Sequence, residues 1–216
     1  MIDCGEGTQV LLRKAKVKFT DIKHIFISHL HGDHFYGLPG LISTFHLLGR
    51  KAPMHIYGPK GIKEAITLLL KLAKSWTNYP LHFHELTEKS SVCLLAEDEI
   101  EVYTIPLKHR VYTNGFLFRE TPKDRKINAE AVEQYQIDHS QMRNLKKRKD
   151  VVNAHGNTIA NQEVTHDPRP PKSYAFCSDT AYHPDMVDLI QRVDVLYHEA
   201  TFLNDHQVLA QKTFHS

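Results

Sequence analysis

Residues 29–34 read His29-Leu30-His31-Gly32-Asp33-His34, directly after the mostly apolar run Ile22–Ser28. This string packs three imidazoles and one carboxylate into six residues at the end of an expected strand. Nitrogen and carboxylate donors of this kind suit Zn²⁺ or a similar borderline metal. Four donors so close together can serve two ions, because each needs only part of the set. Histidine is common in this chain, 16 of 216 residues, but chance clustering does not supply the strand-then-turn context that a metal motif requires. Ligands on a turn after a strand need a rigid sheet behind them, which directs the reading of the rest of the chain toward a layered α/β fold.

The remaining pattern agrees. Tyr36–Leu48 reads as a helix and Pro53–Gly58 as a strand. Gly58-Pro59 opens a second helix with apolar residues at Ile62, Ala65, Ile66, Leu69, Leu70 and Ala73, one helical face. Leu81–Leu86, Val92–Ala96, Ile100–Leu107 and Tyr112–Arg119 read as successive strands. Residues 121–172 are polar, charged and poor in large apolar side chains. A segment of that length inside a compact domain is expected to be functional or disordered. Regular structure resumes at Ser173–Ser178, with a helix near Met186–Arg192 and a strand at Val193–Tyr197. Strands and helices in layers, without repeats, predict an α/β sandwich.

Composition narrows the function classes. No run approaches the length of a membrane span, and the N-terminus lacks the layout of a signal peptide. Cys4, Cys93 and Cys177 are odd in number and form no CxxC, which argues against a disulfide framework and for a reducing cytoplasm. The formal net charge is only +2. The positive excess sits in residues 121–150, with eight Lys/Arg against five Asp/Glu. Within it, Arg143, Lys146, Lys147, Arg148 and Lys149 give five basic residues in seven.

Three later segments end expected strands in metal-ligating chemistry: Lys108-His109, Ser178-Asp179-Thr180 and His198-Glu199-Ala200-Thr201. With Asp3-Cys4-Gly5-Glu6-Gly7-Thr8-Gln9 at the start, SHLHGDHFYGLPGL at 28–41 and Phe214-His215-Ser216 at the end, the chain resembles the metallo-β-lactamase superfamily. Within it, the chain resembles the tRNA 3′-processing endoribonuclease family, ribonuclease Z. The metal string alone gives only the superfamily; the His-Glu-Ala-Thr string with a following His-Ser gives the family.

The resemblance implies an αββα sandwich and removal of the 3′ trailer from precursor tRNA, leaving a 3′-hydroxyl. It implies that His29, His31 and His109 bind one zinc, that Asp33 and His34 bind a second, and that Asp179 bridges them, with Mn²⁺ as an alternative ion. Asp33 would also help deprotonate the attacking water, and Glu199 with His215 would form the proton-donating dyad. The segment at about 119–172 corresponds to an arm that grips tRNA, so Arg143, Lys146, Lys147, Arg148 and Lys149 would contact phosphates. A homodimer is implied as well. The family carries further N-terminal strands and a last metal-binding His, so the domain over 1–216 is expected to be incomplete at both ends. Cys177 stands where the family has Ser; a buried small hydrophobe is the expected role.

Two rivals share part of this pattern. Another hydrolase of the superfamily, a phosphodiesterase or thioesterase, needs the metal string but not the basic arm or the 198–201 and 215 loops. A degenerate tRNA-binding half would have lost metal residues, whereas every such position is intact in this chain.

Overall fold

The computed structural model describes residues 1–216. Three parallel strands form the first sheet: β1 (His24–Phe26), β2 (Met54–Pro59) and β3 (Leu81–Leu86), in the order β1-β2-β3. Period-two alternation splits this sheet into two faces. Ile25, Ile27, Met54 and Ile56 are fully buried in one core with Leu38, Leu41, Ile42, Phe45, Ile62 and Ile66 of the covering helices. The opposite face carries rings. Phe26 stacks on Tyr57 at 4.7 Å, Tyr57 on His84 at 4.3 Å, and His24 on His55 at 5.1 Å.

A five-stranded sheet lies against that ring face. It contains β4 (Cys93–Glu97), β5 (Ile100–Leu107), β6 (Thr113–Glu120), β7 (Ser173–Cys177) and β8 (Val195–His198), in the order β8-β7-β6-β5-β4, with β7 and β8 parallel. Phe26 meets Phe116 and Phe118 of β6 at 5.3 and 5.5 Å, which joins the two sheets face to face. The far side of the second sheet packs Ile105, Leu117, Ala175 and Cys177 against Met186, with Leu189 and Ile190. The layering is helix, sheet, sheet, helix.

The expected helix over Tyr36–Leu48 forms as Leu38–Leu47, and a break at Tyr36-Gly37 separates it from a short helix, Gly32–Phe35, in the metal loop. The break has a local cause. Pro39 sits in the first turn of the second piece, where its missing N–H costs nothing. A side chain on Gly37 would strike the carbonyl oxygen of Gly5, so the 3–7 segment is pressed directly onto the metal loop. The strand expected from Ile22 begins at His24, because Phe19–Asp21 forms a 3₁₀ turn.

The chain divides into two compact units: residues 1–94, 102–118 and 174–216, and residues 95–101 and 119–173. The second unit corrects one expectation. The stretch read as polar and poor in apolar residues builds a core of its own from Ala131, Val132, Ile137, Leu145, Val151, Ile159 and Val164. Its buried Arg125 donates to Thr165 Oγ1 at 2.6 Å and to Asp167 at 2.6 Å. Arg148 reaches the same Asp167 at 3.0 Å.

Candidate metal centre

Every metal-binding and proton-transferring residue expected from the sequence lies in the first unit, and each comes after the end of a strand or helix. His29, His31, Asp33 and His34 follow β1, His109 follows β5, Asp179 follows β7, and Glu199 follows β8. His215 follows the helix Gln207–Thr213.

Two donor clusters share one oxygen. In the first, His29 Nε2 lies 2.9 Å from His31 Nδ1, and His109 Nε2 lies 3.4 Å from that same Nδ1. Asp179 Oδ2 is 3.5 Å from His29 Nε2 and 4.0 Å from His109 Nε2. All four atoms fall within 4.8 Å of one another. A tetrahedral zinc with ligand bonds of about 2.0–2.1 Å separates its donors by about 3.3 Å, so these spacings fit one ion. In the second cluster, His34 Nε2 is 3.4 Å from Asp33 Oδ2 and 3.6 Å from the same Asp179 Oδ2. Asp179 is therefore common to both.

Burial and charge set the protonation of the set. Burial, with the neighbouring His34, His31 and His109, pushes His29 down to about 3, so its imidazole is neutral. His31 is also lowered, first by burial and then by His109 and Arg110. Burial opposes the ionised form of Asp179, yet His34 and the surrounding imidazoles outweigh it and hold the carboxyl at about 2. Burial likewise opposes charging of His34, but the Asp179 and Asp3 carboxylates raise it to about 10. Neutral imidazoles and ionised carboxylates are the forms that ligate metal, so His29, His31 and Asp179 already stand in that form, whereas His34 must give up its Nε2 proton when an ion binds.

The structure adds two supporting groups that motif reading did not single out. Asp3 accepts the Nδ1–H of His34 at 2.8 Å and also takes Ser28 N and Oγ at 2.7 and 2.9 Å. This fixes the tautomer that leaves Nε2 of His34 facing the site. Asp3 does so from a left-handed backbone, φ 49°. The carbonyl of Phe214, also left-handed at φ 60°, lies 2.9 Å from His109 Nδ1 and orients that ring in the same way. Asp3 belonged to a recognisable string but carried no role there. A backbone carbonyl such as that of Phe214 leaves no signal in residue type.

Glu199 and His215 form a separate, adjoining pair. Glu199 Oε1 accepts the Nδ1–H of His215 at 2.9 Å and Thr180 N at 2.8 Å, while Oε2 accepts Thr201 N and Oγ1 at 3.1 and 2.5 Å. Both carboxylate oxygens are satisfied, so the buried charge is compensated. His215 Nε2 then faces Asp179 Oδ2 at 3.9 Å. Cys177 is buried in the second sheet's core, with its thiol pushed up to about 11 by burial.

The basic residues occupy the second unit. Arg143 and Lys146 lie in the helix Met142–Lys146 and Lys147, Arg148 and Lys149 in the turn after it; all five are exposed, while Leu145 between them is fully buried. No helix is long and apolar enough to cross a membrane.

Comparison with known proteins sets this geometry in a family. Residues 1–216 match the family model described as Anti-Pycsar protein Apyc1. A curated ribonuclease Z of Bacteroides thetaiotaomicron is 44% identical over all 216 residues, which span 68% of its length. A crystal structure of the short form of human tRNase Z matches with a TM-score of 0.71 and 26% identity, covering the whole chain and 72% of that protein. A metallo-β-lactamase fold protein from Bacillus subtilis, YhfI, matches 99% of the chain and 63% of its own with a TM-score of 0.57 at 15% identity, a likeness of fold alone.

Proposed function

The chain belongs to the family of the Anti-Pycsar protein Apyc1 model and, by its curated relatives, to ribonuclease Z, and from that premise we propose how its residues remove the 3′ trailer from precursor tRNA. It is a metal-dependent endoribonuclease of tRNA 3′ processing. The observation that carries the mechanism is the single oxygen of Asp179 common to both donor clusters and 3.9 Å from His215 Nε2.

The ions are zinc. His29, His31 and His109 would hold one, Asp33 and His34 would hold the other, and Asp179 would contribute to both. When bound, two such ions would polarise a scissile phosphate and supply a water nucleophile at neutral pH. The residues do the rest. Asp33 takes a proton from the attacking water; its carboxylate is 76% exposed and open to substrate. Water adds to phosphorus, and the bond from phosphorus to the ribose 3′-oxygen breaks. His215 gives its Nε2 proton to that departing oxygen, and Glu199 holds the ring in orientation through Nδ1. The products are a tRNA 3′-hydroxyl and a trailer with a 5′-phosphate.

The basic turn at 143–149 grips backbone phosphates without reading sequence, which leaves specificity to the shape of the folded RNA. The protein works as a homodimer in the cytoplasm. Exposed Leu47, Leu48, Leu68, Leu69 and Leu72 on the first two long helices offer the apolar surface for a second copy. Three cysteines that form no disulfide suit a reducing compartment.

The test is turnover of an end-labelled precursor tRNA by the zinc-loaded protein, alongside a chromogenic phosphodiester. A single cut leaving a 3′-hydroxyl supports the reading. Hydrolysis of the small diester with the precursor untouched would make the protein a phosphodiesterase of another class.

A further inference from the structure

A cavity of about 510 Å³ opens directly beside His215. Its lining has three kinds of surface. Tyr182, Phe202 and Phe214 supply rings, of which Tyr182 is 79% and Phe214 37% exposed. Gln207 and Gln211 stand one turn apart on the helix Gln207–Thr213 and bring two side-chain amides to the same wall. Lys108 brings a cation with no carboxylate partner. None of these residues is a metal-site donor, and none takes part in the bond-breaking steps.

The backbone holds these groups together. Lys108 N donates to Thr180 Oγ1 at 3.1 Å, and Ala181 N donates to the carbonyl of Lys108 at 2.8 Å. The ends of β5 and β7 are thereby fastened side by side, with Lys108 and Tyr182 on one cavity. On the other side, Thr201 N and Phe202 N both donate to the carbonyl of Ser216, at 2.8 and 3.1 Å. The cavity walls are thus tied to the loops that carry Asp179, Glu199 and His215.

Rings for a flat face, amides for a polar edge and a cation for a phosphate are the three needs of a nucleotide. Position decides which nucleotide. His215 protonates the departing 3′-oxygen, so the ribose bearing that oxygen lies on the His215 side of the scissile phosphate. We propose that this cavity seats the nucleobase of the nucleotide immediately 5′ of the cleaved bond. Tyr182 stacks on its face, Gln207 and Gln211 bond its edge, and Lys108 meets the preceding phosphate. The inference rests on the tRNA-processing reading and adds a base-binding subsite to it.

The experiment uses zinc-loaded protein and two precursor tRNAs that differ at one position, the nucleotide 5′ of the cut, which is either normal or abasic. Stacking of one base corresponds to a roughly 5- to 150-fold effect on affinity. The abasic precursor should show KM raised within that range, with kcat changed less. Tyr182→Ala should raise KM for the normal precursor to a similar extent and add almost nothing for the abasic one, while Tyr182→Phe restores the normal value. Tyr182 is exposed, so its replacement leaves the core untouched. Equal KM for the two precursors would overturn the subsite while leaving the endonuclease reading in place. Additive losses from the abasic site and Tyr182→Ala would also overturn it, since the two would then act separately. Failure of the wild-type protein to cut either precursor would overturn the processing reading, and the subsite with it.

Discussion

Replacing Asp3 tests whether the site depends on a residue that touches neither ion. Its carboxylate accepts three hydrogen bonds, from Ser28 N at 2.7 Å, Ser28 Oγ at 2.9 Å and His34 Nδ1 at 2.8 Å. In Asp3→Ala the His34 ring loses its tether. Loss of such a supporting partner weakens metal binding by roughly 10- to 100-fold, or about 1.4–2.8 kcal/mol. The effect should fall on the ion held by Asp33 and His34. The donors proposed for the other ion have their own supports, Ser28 Oγ at 3.0 Å from His29 Nδ1 and the Phe214 carbonyl against His109. Folding is affected too. Ser28 is fully buried, and its N–H is left without an acceptor, at a cost of about 1–3 kcal/mol. Its hydroxyl retains Ser178 Oγ at 3.1 Å. Alanine is also less at ease than Asp at φ 49°. Asp3→Asn keeps an acceptor and tolerates that backbone, so it should recover most of the stability but less of the metal affinity. Zinc titration against a chromogenic chelator separates the two ions, and thermal unfolding of the metal-free protein reads the fold. Two ions bound with wild-type affinity by Asp3→Ala would refute the reasoning.

Asp179→Ala should remove both ions and abolish cleavage, because one oxygen serves both clusters; metal analysis showing two ions per chain with near-normal turnover would contradict it. His215→Ala should slow single-turnover cleavage roughly 10²–10⁴-fold with metal content unchanged. Glu199→Gln acts through the same ring, so the double variant should be scarcely worse than the worse single one; fully multiplicative rates would mean the two act separately. Replacing Lys146, Lys147 and Lys149 with Ala should weaken precursor binding and flatten its log–log salt dependence by roughly one unit or slightly less per lost phosphate contact, with small-diester hydrolysis unchanged. Arg148→Ala should change that slope less and lower the melting temperature more, because its guanidinium pairs with Asp167.

The candidate donors that the structure brings together were legible because their chemistry is local. Four sit in one six-residue string, and the others each end a strand whose apolar pattern is plain. The sheets were legible for the same reason: β3 and β5 begin and end where alternation and apolar content place them. What stayed hidden depends on distant backbone. Asp3 and Phe214 act through left-handed conformations and a carbonyl, which composition does not encode. The core of the second unit escaped because its apolar residues are isolated in sequence. Val132, Leu145, Val151 and Ile159 stand singly or in pairs between charged and polar stretches and meet only when short helices and hairpins fold over them. The helix Thr8–Lys14 escaped as well. It begins after a left-handed Gly7 with no side-chain cap and buries no residue, so it has neither a start signal nor an apolar stripe. The histidines outside the site proved to be partly packing groups: His55 and His84 stack at 5.4 Å between the sheets, with ring nitrogens 3.1 Å apart.

The central claim is that water attacks the phosphorus between tRNA and trailer while the ribose 3′-oxygen leaves. Cleavage of a precursor tRNA in ¹⁸O-water, followed by mass spectrometry of both products, tests this most directly. The account predicts one ¹⁸O in the 5′-phosphate of the released trailer and none in the tRNA, which ends in a plain 3′-hydroxyl. A tRNA product bearing a phosphate or a 2′,3′-cyclic phosphate, with an unlabelled 5′-hydroxyl on the trailer, would contradict it.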